Sequence, residues 1–79
     1  MSELLYITAE DCHLCEHSRL VLDQLSVERQ ELNVDSDEAM ALAERGIPLT
    51  FLPVLTDGER VIAYGRFSAK RLSAELGLS

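Results

Sequence analysis

The chain has no tryptophan, and its 79 residues include only two cysteines, two prolines and four glycines. The cysteines, Cys12 and Cys15, stand three positions apart. A bridge between them closes almost no loop, which excludes a disulfide-stapled secreted scaffold. Basic residues are scarce: 7 Lys+Arg face 14 Asp+Glu, a formal net charge of −7. That balance argues against nucleic-acid phosphates and anionic membranes as partners. No run approaches the roughly 20 apolar residues that cross a bilayer. The opening segment, Met1 to Thr8, carries Glu3 where a secretory leader needs basic residues, and its apolar run is short. The chain is therefore expected in a reducing cytoplasm, where a close cysteine pair serves catalysis or metal binding rather than structure. Repeats, linkers and low-complexity stretches are also missing.

Apolar residues make up 47% of the chain and recur along its whole length, which excludes intrinsic disorder. The length allows one domain, residues 1–79, because two would each be too small for a core. A chain of this size buries only about 60% of the surface its unfolded form exposes, so modest stability is expected.

Leu4 to Thr8 reads as a buried strand, rich in β-branched and aromatic residues. Leu14, Ser18, Val21, Leu22 and Leu25 follow at helical spacing, apolar except for the small Ser18. This predicts a helix over Cys12 to Leu25, capped by Asp11. Val27 to Val34 is a second strand, and Glu28, Arg29, Gln30 and Glu31 mark it as a sheet edge. Asp35 to Arg45 is a second helix, capped by Asp35, Ser36 or Asp37. Met40, Leu42 and Ala43 give it apolar surface, and Gly46 ends it in a left-handed conformation. Ile47 to Leu52 is a connector that cannot be helical through Pro48. Pro53–Thr56 and Glu59–Tyr64, joined by Asp57-Gly58, read as a β-hairpin with a two-residue turn. Gly65-Arg66-Phe67 is a bend. Ser68 then caps a last helix with Ala69, Leu72 and Leu76 inward, and Gly77 ends it. The order β-α-β-α-β-β-α predicts an α/β fold. A right-handed parallel crossover comes first, the hairpin adds two antiparallel strands, and helices cover both faces of a four-stranded mixed sheet.

The chemistry is concentrated in Cys12-His13-Leu14-Cys15, at the junction of the first strand and the first helix. Residues i and i+3 share a helix face about 5–6 Å apart at Cβ, so a small adjustment joins their sulfurs. A thiolate at a helix N-terminus is stabilised by free N–H groups and by the helix dipole. Cys12 is expected to be the exposed nucleophile, and Cys15, one turn in, the resolving thiol. A protonated His13 would favour the thiolate, while Glu10, Asp11 and Glu16 oppose it through like charge. A metal reading stays open, with Cys12, His13, Cys15 and His17 as ligand types. All four lie within six residues, however, and no second ligand pair is at hand. A c-type haem is excluded, because Glu16 and not His follows the second cysteine.

This constellation resembles the glutaredoxin branch of the thioredoxin-like superfamily, most of all the small bacterial glutaredoxin-like proteins with a Cys-x-Leu-Cys site. The resemblance covers nearly the whole chain: strand, C-x-x-C, helix, strand, helix, proline, hairpin, helix. It implies a cis-proline beside the cysteines, at the start of the strand after the second helix, and Pro53 stands there. It further implies that the Leu52 backbone hydrogen-bonds an extended substrate, with Leu14, Pro53 and Gly65 as further substrate contacts. The implied activity is thiol–disulfide exchange on a disulfide-containing protein or a glutathione mixed disulfide. No bound cofactor or metal is expected, with glutathione a candidate reductant and a monomer the expected state. Several positions depart from glutaredoxins. Ala9-Glu10-Asp11 replaces a lysine-bearing approach, His13-Leu14 replaces Pro-Tyr or Pro-Phe, and Tyr64-Gly65-Arg66-Phe67-Ser68 stands in place of Gly-Gly-x-Asp. The Trp that precedes the thioredoxin site is absent. Two further readings are a binding module whose cysteines are a metal site or relic, and an iron–sulfur carrier using Cys12 of two chains.

Overall fold

A computed structural model describes residues 3–77. Met1, Ser2, Leu78 and Ser79, which include the first residues of the opening segment and both ends of the expected 1–79 unit, lie outside the described residues. The elements follow in the expected order: β1 (Leu5–Thr8), α1 (His13–Gln24), β2 (Gln30–Asn33), α2 (Asp37–Glu44), β3 (Val54–Thr56), β4 (Val61–Tyr64) and α3 (Ala69–Leu76). The four strands form one mixed sheet in the order β2-β1-β3-β4. β1 and β2 run parallel, as a βαβ crossover requires, and the other two pairings are antiparallel.

The pleat of the sheet divides the core. Tyr6 pairs with Leu55 and Ile7 with Val54, and successive side chains on a strand point to opposite faces. Tyr6 and Leu55 accordingly join Val21 and Leu22 of α1, Leu72 of α3, and Phe67 in one cluster. Ile7 and Val54 join Leu32, Ala39 and Leu42 of α2, and Ile47 in the other. Helices therefore cover both faces: α1 and α3 on one, α2 on the other.

The helix ends show why the chain turns where it does. α2 stops in a Schellman motif: Gly46 N–H donates to the Ala43 carbonyl at 3.1 Å and Ile47 N–H to the Leu42 carbonyl at 3.0 Å. Gly46 holds φ +100, and Ile47 and Leu42 then pack in the same core cluster. α1 ends the same way, with Ser26 N–H on Asp23, Val27 N–H on Leu22, and Ser26 itself at φ 54. This is where the expected strand over Val27 to Val34 shrinks to Gln30–Asn33, because Val27 is spent on closing the helix and filling the core.

Other boundaries also shift. Asp11 does not cap α1: it takes φ 55 and turns the chain, and the cap is Cys12. Leu14, placed in the apolar stripe by its spacing, is 44% exposed, and Cys15 takes the inward position in that first turn. Periodicity assigns a face but not a depth. In α2 the buried residues are Ala39 and Leu42, while Met40 and Ala43 face outward. Of its three candidate caps, Ser36 acts, accepting from Ala39 N–H at 3.2 Å. The two-residue hairpin turn is a four-residue connection, Asp57 to Arg60. Asp57 Oδ1 accepts from the N–H groups of Glu59 and Arg60, and Thr56 Oγ1 accepts from Gly58 N–H. These side-chain bonds satisfy backbone groups that a tighter hairpin would pair in its ladder. α3 is capped by Ser68 and ended by Gly77, as its sequence suggests.

Candidate functional site

β1 ends at Thr8, and three residues carry the chain to Cys12, whose extended backbone (φ −105, ψ 104) caps α1. The Sγ of Cys12 accepts the Cys15 N–H at 3.1 Å, the role a serine or aspartate oxygen plays at other helix starts. The same Sγ is bonded to Cys15 Sγ, with the two Cα atoms 5.2 Å apart. The two thiols differ in their surroundings. Cys12 is half-buried, whereas Cys15 is 2% exposed. The sulfur of Cys12 thus receives both a backbone N–H and the positive end of a three-turn helix.

Three hydrogen bonds connect this turn to the rest of the site. Tyr6 O–H, fully buried, donates to the Cys15 carbonyl at 2.6 Å. Ser18, one turn beyond Cys15, donates to the Gly65 carbonyl and accepts from Phe67 N–H, both at 3.3 Å. Gly65 N–H in turn donates to the Pro53 carbonyl at 2.8 Å. The Leu52–Pro53 bond is cis. Continuing the β1–β3 register one step past Ile7 and Val54 sets Pro53 opposite Thr8, at the end of the sheet from which the chain enters Cys12. The cysteine turn, the cis-proline and the bend after β4 are thus held at one end of the sheet. Gly65 sits there at φ +69, a conformation that favours glycine.

Of the expected substrate contacts, Pro53 and Gly65 belong to this network. Leu52 is half-buried, with its side chain packed on the α2-side core, and its N–H and C=O have no partner among the described residues. Leu14 lies exposed on the cysteine turn. His13 and His17 are exposed, and neither makes a side-chain hydrogen bond or ion pair among the described residues. Glu10, Asp11 and Glu16 are exposed around the same turn. No group of three or more His, Cys, Asp or Glu side chains is placed to hold a metal ion among the described residues.

Two residues bonded to the cysteine turn and the bend escape a motif search. Ser18 is the one polar residue in the apolar stripe of α1, and that exception was the available signal. Tyr6 reads as a core aromatic, and it does pack edge-to-face on Phe67 with ring centroids 5.7 Å apart. Its hydroxyl bond to Cys15 leaves no trace in the sequence.

Burial pushes the Tyr6 phenol from 10.0 up to about 12, with Arg19 opposing and Glu31 assisting. The folded protein thus holds this proton more tightly than the unfolded chain does. The stabilisation is complete below the unfolded value and is lost as pH rises from about 10 through about 12. Near pH 11 the loss is on the order of 1 kcal/mol. Tyr6→Phe should lower stability at neutral pH by roughly 1 kcal/mol through the lost hydrogen bond and remove this alkaline slope. Urea unfolding midpoints of both proteins between neutral and alkaline pH check it, and parallel curves would contradict it.

No protein-family model matches the chain, and no curated protein matches it. What the structure establishes is a mixed α/β fold with a disulfide-bonded C-x-x-C pair at a helix start. Among the described residues no helix is long and apolar enough to cross a membrane.

Proposed function

We propose that the protein is a thiol–disulfide oxidoreductase of glutaredoxin-like type, built as one thioredoxin-like domain over residues 1–79. The observation that carries this reading is the position of Cys12. Its sulfur caps α1, takes the Cys15 N–H at 3.1 Å and is bonded to the more deeply buried Cys15. Pro53 at the same sheet end, preceded by the unpaired backbone of Leu52, supports it further.

In the reductive direction the Cys12 thiolate attacks one sulfur of a substrate disulfide. A Cys12–substrate mixed disulfide forms, and the other substrate sulfur leaves as a thiolate that takes up a proton. Cys15, deprotonated, then attacks the Cys12 sulfur. The second substrate thiolate leaves, the Cys12–Cys15 disulfide forms, and two electrons have passed to the substrate. A thiol such as glutathione, or a reductase, restores the dithiol. Extended substrate would pair with the N–H and C=O of Leu52 and lie over Leu14, Pro53 and Gly65. His13, when protonated, adds a positive charge beside the thiolate. The substrate class is a protein disulfide or a glutathione mixed disulfide, handled in the cytoplasm by a monomer without a bound cofactor, metal, nucleic acid or membrane.

The donor to Cys12 outweighs the acids around it. A hydrogen bond to a charged group contributes about 1.5–3 kcal/mol, whereas exposed charge pairs are worth about 0.2–1 kcal/mol and are screened by salt. In the reduced protein Cys12 should therefore alkylate before Cys15, with an apparent pKa below the ordinary thiol value of about 8.5. Iodoacetamide labelling across pH with peptide mapping checks this. Two cysteines reacting alike, with ordinary thiol behaviour, would contradict it.

A further inference from the structure

The two edges of the sheet are built differently. The β2 edge carries exposed Gln30, Glu31 and Asn33, and Glu31 is in ion pairs with Arg19 and Arg29. Charge of this kind blunts an edge against further pairing. The β4 edge, Val61-Ile62-Ala63-Tyr64, has no charge and no proline. It pairs only with β3 among the described residues.

The hydrogen-bond phase leaves this edge open at its cysteine-side end. Gly65 N–H bonds the Pro53 carbonyl, so Gly65 and Pro53 occupy a hydrogen-bonding position of the ladder, although Pro53 has no N–H to return the bond. In an antiparallel ladder such pairs alternate with non-bonded ones. The next pair, Tyr64 with Val54, is therefore non-bonded, and the N–H and C=O of Tyr64 point away from β3.

A groove flanks β4 on either side of that backbone. One, about 300 Å³, is walled by Pro48, Phe51, Val61 and Tyr64. Phe51 and Tyr64 are 67% and 63% exposed, with ring centroids 6.2 Å apart. The other, about 560 Å³, runs between β4 and α3 past Arg66, Ser68, Arg71 and Glu75. Neither Arg66 nor Arg71 forms an ion pair among the described residues, in a chain whose net charge is −7.

We propose that the open edge of β4 is a docking strand for an extended segment of a partner polypeptide, one whose side chains alternate between apolar residues and carboxylates. An added strand sends alternate side chains to opposite faces, and the two grooves lie on opposite faces of β4. Its apolar residues enter the Phe51–Tyr64 groove, and its carboxylates meet Arg66 and Arg71. Main-chain bonds to Tyr64 supply affinity, and the two flanks supply selectivity. A second copy of the chain fits less well. Pairing β4 to β4 about a two-fold axis would set the Arg66 and Arg71 flanks of both copies on the same face of the continued sheet. This surface does not depend on the cysteine chemistry.

Two blocked synthetic peptides test it, one alternating phenylalanine and valine with glutamate, the other with lysine in place of glutamate. Binding is read by amide NMR titration, together with hydrogen exchange at Tyr64. The glutamate peptide should bind about tenfold more tightly than the lysine peptide, as two exposed charge pairs allow, and should slow exchange at the Tyr64 amide. The exposed double variant Arg66→Glu with Arg71→Glu should reverse the preference. Equal binding of the two peptides, or binding without protection of the Tyr64 amide, would overturn the proposal. So would protection of that amide by self-association of the protein alone, which would assign the edge to a second copy.

Discussion

Replacing Cys12 with serine should abolish disulfide turnover, a loss of at least about a thousandfold, because a hydroxyl is a far weaker nucleophile than a thiolate. Replacing Cys15 with serine should have a different outcome. Cys12 still attacks, but nothing resolves the adduct, and a mixed disulfide accumulates that intact-mass analysis can read. The asymmetry follows from placement. Cys12 is half-buried at the cap of α1 with the Cys15 N–H on its sulfur, and Cys15 is 2% exposed behind it. Both variants keep the N–H group at position 15, and serine is itself a good cap, so the helix start should survive either change. A Cys15→Ser protein that never traps an adduct, or a Cys12→Ser protein that does, would reverse the assigned roles.

Ser18→Ala should lower stability by about 2–3 kcal/mol, a large share of the margin available to so small a domain. The Ser18 hydroxyl serves two backbone groups at once, the Gly65 carbonyl and the Phe67 N–H. Its loss leaves both without a partner, and the Phe67 N–H is in a buried setting. An alanine methyl cannot bond either group, and the site is too closed for water to replace the hydroxyl fully, since Ser18 is 0% exposed. The consequence reaches the proposed active site, because Gly65 is also the donor to Pro53. Thermal unfolding should show a fall of roughly 10–20 °C. Amide signals of residues 65–67 should shift more than those of β2, on the opposite edge. A drop under 1 kcal/mol with unperturbed Gly65 would mean that Ser18 does not hold the bend.

Much of this architecture was legible in the chain. The order of the seven elements, the polar edge strand, the Gly46 stop and the Ser68 cap follow from alternation, helical spacing and local capping chemistry. At two of the places where the structure departs from the local pattern, side chains that bond the backbone override it, and at a third burial depth differs from helical face. Asp11 has capping chemistry, but the cysteine after it takes the cap. Asp57-Gly58 has two-residue-turn chemistry, but the Asp57 carboxylate and Thr56 hydroxyl collect three N–H groups and widen the turn. Leu14 lies on the right face of α1 at the wrong depth.

The site was legible in part. Cys12, Cys15 and Pro53 are marked by residue type and order, and Gly65 by its place after the last strand. The contacts that connect them run between residues 9 and 49 positions apart, from Tyr6 to Cys15 and from Ser18 to Phe67. No spacing rule reaches that far. Tyr6 and Ser18 therefore emerge only once the sheet has brought β1, α1 and the bend after β4 together.

The central claim is that Cys12 and Cys15 form a reversible two-electron couple. Equilibrating the protein in glutathione buffers of graded ratio, quenching by alkylation and weighing the intact chain tests it most directly. A single transition between the dithiol and the internal disulfide, with little glutathione adduct at its midpoint, is the predicted result. The midpoint would then fix the direction of transfer, with about 30 mV equivalent to about 1.4 kcal/mol. Two thiols that stay reduced across the whole range, or a chain that is only singly or doubly glutathionylated, would contradict the account.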